Sequence, residues 1–176
     1  MASVTEAPAP PAPHRISVVI PVYQGRQTLP DLMAELDALT RPFSTPEGAE
    51  AVVTEVFLVH DHGPDGSDAT IRELAAQYDV VRPVWLSRNF GQHPATLAGM
   101  ASSGGDWIVT LDEDGQHDPA DMGNLLDAAL REQADVVYAK ATNAPPHSAF
   151  RLFGQENHDV RKLDEDTLCD LRPKGA

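Results

Sequence analysis

The residues best able to do chemistry stand together at Asp112-Glu113-Asp114-Gly115-Gln116-His117-Asp118, directly after the apolar run at 107–111 (WIVTL). Carboxylates two apart at the end of a strand can direct one oxygen at a ribose and another at a divalent cation. Mg²⁺ or Mn²⁺ favours hard oxygen ligands and would bridge Asp112 and Asp114 to substrate phosphates. Gln116 adds a neutral carbonyl two residues further on. The plainer reading is a solvated acidic loop that caps a helix opening at Pro119. Mutual repulsion among three adjacent carboxylates beside a buried strand favours the cation. Glu113 is expected to point to the opposite side of this extended segment, and its removal to matter less.

Three further polar clusters also follow apolar runs: Tyr23-Gln24-Gly25 after 16–22, His60-Asp61-His62 after 55–59, and Arg88-Asn89 after 80–86. Two histidines at i and i+2 with no third nitrogen ligand make a poor zinc site. Arg88-Asn89 reads either as a simple turn or as a cation offsetting a nucleotide's charge. Gly63-Pro64-Asp65-Gly66 carries no Lys and lacks P-loop spacing, and no Gly-x-Gly-x-x-Gly follows the first strand.

The elements that must position these clusters alternate along the chain. Strands are expected at 16–22, 55–59, 80–86, 107–111 and 134–139. Between them lie helices capped by Thr28, by Ser67 or Asp68, near Pro94 and at Pro119, with 41–50 as a loop. This is an α/β chain with a mostly parallel sheet and helices on both faces. Ligands in such a sheet bind beyond the carboxyl ends of the strands, where all four clusters fall.

Composition narrows the partners. The chain has 176 residues and a formal charge of −14. That argues against a nucleic-acid surface and against a polybasic grip on anionic lipid. A single cysteine, Cys169, excludes an internal disulfide and a Cys-rich zinc site. No apolar run approaches the roughly 20 residues of a membrane span, and the chain reads as cytoplasmic. Residues 1–14 read as a disordered Pro/Ala leader. Residues 152–176 are charged, lack apolar periodicity and read as an irregular or disordered tail that pairs with no strand and adds little to folding.

Taken in order, these motifs resemble inverting nucleotide-sugar glycosyltransferases of the GT-A fold. Ser17-Val18-Val19-Ile20-Pro21-Val22-Tyr23 is similar to their opening strand, and Val59-His60-Asp61-His62-Gly63-Pro64-Asp65-Gly66-Ser67 to their Asp-Asp-Gly-Ser loop. Leu86-Ser87-Arg88-Asn89-Phe90-Gly91 and the acidic loop resemble the polyprenyl-phosphate branch, which includes dolichol-phosphate mannose synthases and bacterial undecaprenyl-phosphate glycosyltransferases. The resemblance implies that Pro21, Val22, Tyr23 and Asp61 line the base and ribose of a nucleoside-diphosphate sugar, with Arg88 and Asn89 close by. It implies that Asp112 and Asp114 are the catalytic carboxylates, and that Asp114 and Gln116, with Asp112, hold Mg²⁺ or Mn²⁺. The implied acceptor is a polyprenyl phosphate at the cytoplasmic membrane face.

Gln24-Gly25 stands where the family usually has Asn-Glu, His60 where it has Asp, His62 where it has Gly, and Gly63 where it has Ser. The resemblance stops near Arg151, so 15–151 reads as a donor-binding domain without its acceptor-side segment, and transfer by this chain alone is expected to be absent or very weak. The alternative is a nucleotide-sugar-binding relative acting as binder or interaction module. A metal-dependent phosphatase or receiver-like domain using Asp61 and Asp112 is weakened by the lack of a Lys in a plausible phosphate loop, although Lys140 stands close to that place.

Overall fold

β-branched residues at 16–22 make the first strand the axis of the molecule. A computed structural model of the chain describes residues 11–141, 150–154 and 170–171. Strand β1 (His14–Val22) is buried from Ile16 onwards. Its side chains alternate between two layers, as a period of two requires. Ile16, Val18, Ile20 and Val22 join the larger core, under α1 (Leu29–Asp37), α2 (Ser67–Gln77) and α4 (Met122–Glu132). Val19 joins Phe57, Val59, Ala95 and Ile108 beneath α3 (Gln92–Ser102). A sheet covered on both faces is the setting in which continuous apolar strands are stable.

β3 (Glu50–His60) and β5 (Trp107–Thr110) flank β1, both parallel to it. Beyond β3 lie β2 (Phe43–Ser44), antiparallel to its first residues, and β4 (Val81–Trp85), parallel to its second half. On the other side follow β7 (Phe150–Gly154), β6 (Val136–Ala141) and β8 (Asp170–Leu171). The expected α/β architecture with a mostly parallel sheet is therefore present. Among the described residues, no helix is long and apolar enough to cross a membrane.

Local details depart from the expectations. The second long strand starts at Glu50 and not at 55, and β2 occupies part of the supposed loop 41–50. Thr28 makes no side-chain cap; its hydroxyl donates instead to the Gly25 carbonyl at 3.4 Å. α2 is preceded by Gly66, and Asp65 supplies the acceptor for the Ser67 N–H at 3.0 Å.

The boundary drawn at Arg151 also needs correction, because it falls inside a strand. β7 pairs antiparallel with both β5 and β6, and β8 pairs with β6. Five residues, Phe-Arg-Leu-Phe-Gly, are too few to show periodicity, yet β5 and β6 would otherwise present open edges that must be paired or covered. Residues 1–10, 142–149, 155–169 and 172–176 lie outside the described residues, and with them most of the expected leader and tail, the Pro145-Pro146 turn and Cys169. A chain ending at residue 149 should lose its cooperative thermal transition, because β7 is the strand that joins β6 to β5 and its removal leaves both edges open. A melting curve unchanged from that of the full chain would contradict this.

Candidate active site

The loops that leave β1, β3, β4 and β5 meet at the carboxyl ends of those strands around a cavity of about 410 Å³. Pro21, Val22, Tyr23, Asp61, Asn89, Asp112 and Asp114, all singled out in the sequence, line it. Gly91, Gln92 and Glu113 line it as well. Arg88 and Gln116 are not among the lining residues.

Asp61 is the internal tie of this site and only 3% exposed. Its carboxylate accepts the Phe90 N–H at 2.7 Å and the Gly91 N–H at 2.8 Å, and its own N–H donates to the Val22 carbonyl at 2.8 Å. One side chain thus joins the end of β3 to the loop that starts α3. Asn89 accepts the same Gly91 N–H at 2.9 Å. Arg88 turns aside, its guanidinium 4.6 Å from the centre of the Phe90 ring, a cation–π contact that keeps it off the cavity wall.

The acidic loop divides its labour. Asp118 accepts the Ala120 N–H at 2.9 Å and caps the short helical turn Pro119–Asp121. Asp112 and Asp114 instead face the cavity. Asp112 accepts from Gln92 Nε2 at 2.7 Å, and Asp114 accepts the Gln116 N–H at 3.0 Å. The cap thus falls to Asp118, while Asp112 and Asp114 line the cavity.

Glu113 does not point away from the site. Its carboxylate receives the Tyr23 N–H at 2.9 Å and the Gln24 N–H at 2.9 Å, binding the acidic loop to the loop after β1. Burial pushes its carboxyl above the usual carboxylate range, and the two N–H donors pull it partly back. The sequence signal was Gly25, whose missing side chain leaves room for this carboxylate.

Whether a divalent cation suits the site turns on the donor set. Asp112 and Asp114 are hard oxygen donors that both line the cavity. Among the described residues, no three His, Cys, Asp or Glu side chains form a preformed cage. That combination fits Mg²⁺ or Mn²⁺, which are commonly held by one or two carboxylates together with substrate phosphates and water. The position of Gln116 off the cavity wall lends its expected ligand role no support.

His60 closes the outer flank. It is 8% exposed, with its ring 5.5 Å from that of Trp85, whose other neighbour is the Arg72 guanidinium at 4.3 Å. Burial holds the imidazole below its ordinary value of 6.5, against the opposing pull of Asp68 and Asp65. The folded-state value is depressed, so the unfolded chain binds more protons as pH falls through 6.5, and stability declines over that window. The thermal midpoint should therefore drop between pH 7.5 and pH 5.5, and His60→Phe should flatten that slope. Equal slopes in both proteins would contradict the assignment.

Over residues 17–168 the chain matches the family described as Glycosyl transferase family 2. The chain belongs to glycosyl transferase family 2. The match runs past Arg151, where the resemblance was expected to stop. The undecaprenyl-phosphate 4-deoxy-4-formamido-L-arabinose transferase of Aeromonas hydrophila is 38% identical over 164 residues, covering 89% of this chain and 48% of its own length. The enzyme of the same name from Pseudomonas fluorescens is 36% identical over 141 residues, covering 80% of this chain and 39% of that one. The chain thus spans about half the length, or less, of these relatives. In structure it is similar to the mannosyltransferase PcManGT from Pyrobaculum calidifontis in complex with GDP-Man and Mn²⁺, with a TM-score of 0.64 at 16% identity, covering 88% of this chain and 48% of that one. S. aureus TarS 1-349 in complex with UDP-GlcNAc aligns with a TM-score of 0.54 at 17% identity, over 74% of this chain and 36% of the other. Both likenesses place this family 2 member in the GT-A fold.

Proposed function

We propose that the cavity binds a nucleoside-diphosphate sugar together with Mg²⁺ or Mn²⁺, as the donor site of an inverting glycosyltransferase whose acceptor is a polyprenyl phosphate. The observation that carries this reading is the placement of Asp112 and Asp114 in the cavity lining at the strand ends, with no Lys or Arg among the lining residues. A diphosphate entering there unaccompanied would meet carboxylates and no positively charged side chain. The bound cation would neutralise the diphosphate and stabilise it as it departs.

The chain's own groups do the rest. Tyr23, 41% exposed at the cavity, offers a ring face to the base. Gln92 orients the Asp112 carboxylate through its 2.7 Å hydrogen bond. α3 begins in the same lining, so its partial positive charge lies beside the phosphates. An acceptor phosphate oxygen attacks the anomeric carbon as the bond from that carbon to the diphosphate oxygen breaks on the opposite face, which inverts the centre. The attacking oxygen is already an anion, so no strong general base is required. The names of the relatives support the polyprenyl-phosphate acceptor, and the neighbour with GDP-Man and Mn²⁺ supports the donor and cation. Work on such an acceptor would take place at a membrane surface.

The test is incubation with labelled nucleotide sugars, Mn²⁺ and a polyprenyl phosphate in lipid vesicles. Lipid-linked sugar supports the reading. Binding without turnover would favour the nucleotide-sugar-binding role, and neither binding nor turnover would overturn both.

A further inference from the structure

We propose that Glu113 is a positioning residue, which sets the width of the donor cleft by pinning the backbone of Tyr23 and Gln24 to the acidic loop. This rests on the nucleotide-sugar reading of the same cavity and adds a role that neither the motifs nor the relatives assign. Three observations converge on it. The Glu113 carboxylate takes both successive N–H groups, Tyr23 at 2.9 Å through Oε2 and Gln24 at 2.9 Å through Oε1. It fills the space above Gly25, where a Cβ would lie 2.6 Å from Oε2. It also lines the cavity, together with Tyr23, Asp112 and Asp114.

The arrangement answers an electrostatic problem. A third carboxylate beside Asp112 and Asp114 would otherwise weaken the approach of a diphosphate. Two backbone donors delocalise its charge toward β1, leaving Asp112 and Asp114 as the carboxylates that face a cation. Gly25 and Glu113 are therefore one device. The carboxylate fits only because residue 25 has no side chain, and the Tyr23 loop is held only because the carboxylate is there.

Amide hydrogen exchange and calorimetry on the full chain test this together. In Glu113→Ala the Tyr23 and Gln24 amides should exchange about tenfold faster or more, since each loses a charged acceptor, and this readout needs no ligand. Affinity for nucleoside diphosphates with Mn²⁺ should fall about tenfold, while binding of Mn²⁺ alone stays within about threefold, because the cation-facing carboxylates remain. Glu113→Gln keeps one acceptor oxygen and should recover part of both losses. Gly25→Ala should reproduce the Glu113→Ala phenotype. Adding it to Glu113→Ala should cost little more, the residual being the Leu29 side chain 3.0 Å from the new Cβ. Unchanged exchange at both amides would overturn the proposal. So would faster exchange with unchanged nucleotide affinity, or strictly additive effects of the two substitutions. If the native protein binds no nucleoside diphosphate at all, the donor reading fails and the positioning role falls with it, whereas the exchange result still reports whether the contact exists.

Discussion

Gly63→Ala should damage stability and ligand binding together. A Cβ at position 63 would overlap the Tyr23 carbonyl oxygen and stand 3.0 Å from the Tyr23 Cα. These are backbone atoms, so no side-chain rotation relieves the clash, and the loop after β3 and the loop after β1 must separate. Overpacking of this kind costs about 1–3 kcal/mol, which for a chain of this size lowers the thermal midpoint by about 3–10 °C. The same separation pulls the Tyr23 wall away from Asp61, so nucleoside diphosphate affinity should fall about tenfold or more. Gly104→Ala is the control. Its nearest neighbours, the Glu55 carboxylate oxygens, are 3.8 Å from the new Cβ, and it should melt within about 2 °C of the native protein. Native-like melting and binding in Gly63→Ala would show that the two loops are not in register contact.

The second large effect belongs to Asp114. Asp114→Ala should weaken cation-dependent binding of nucleoside diphosphates by about 100-fold or more, since an open site with two carboxylates cannot lose one and still hold a hard cation well. The fold should be indifferent: Asp114 is exposed and its side chain accepts only the local Gln116 N–H at 3.0 Å among the bonds described. Calorimetry in Mn²⁺ against melting by circular dichroism separates the two. Asp118→Ala should behave in the opposite sense, losing a helical cap worth about 1 kcal/mol and little affinity. If Asp118 rather than Asp114 governed binding, the division of the loop into cavity and cap would be wrong.

The site was legible where chemistry and element order coincide. Asp112 and Asp114 follow a short apolar strand, Asp61 follows another, and a parallel sheet gathers strand ends on one edge. What escaped notice depends on directions that spacing does not encode. Glu113 was assigned to the far side by strand alternation, but the chain leaves β5 at Thr110 and has already turned by Asp114, so alternation no longer applies. Spacing gives no sign of Gln92, because α3 starts there, two residues before the Pro94 that a proline-led helix would suggest. Charge and the motif resemblance both put Arg88 near the site, yet the neighbouring Phe90 ring takes its guanidinium. β7 was missed for a different reason. Its pairing is dictated by two distant edges, β5 and β6, and nothing within five residues records that.

The central claim is that this acidic cavity accepts a nucleoside diphosphate only as a complex with a divalent cation. Titrating UDP, GDP and CDP into the protein by calorimetry, once in Mn²⁺ and once in chelator, tests it most directly. At least one nucleotide should bind in Mn²⁺ and lose about 100-fold or more in chelator, because Asp112 and Asp114 would then face bare phosphates. Equal affinity under both conditions would contradict the account.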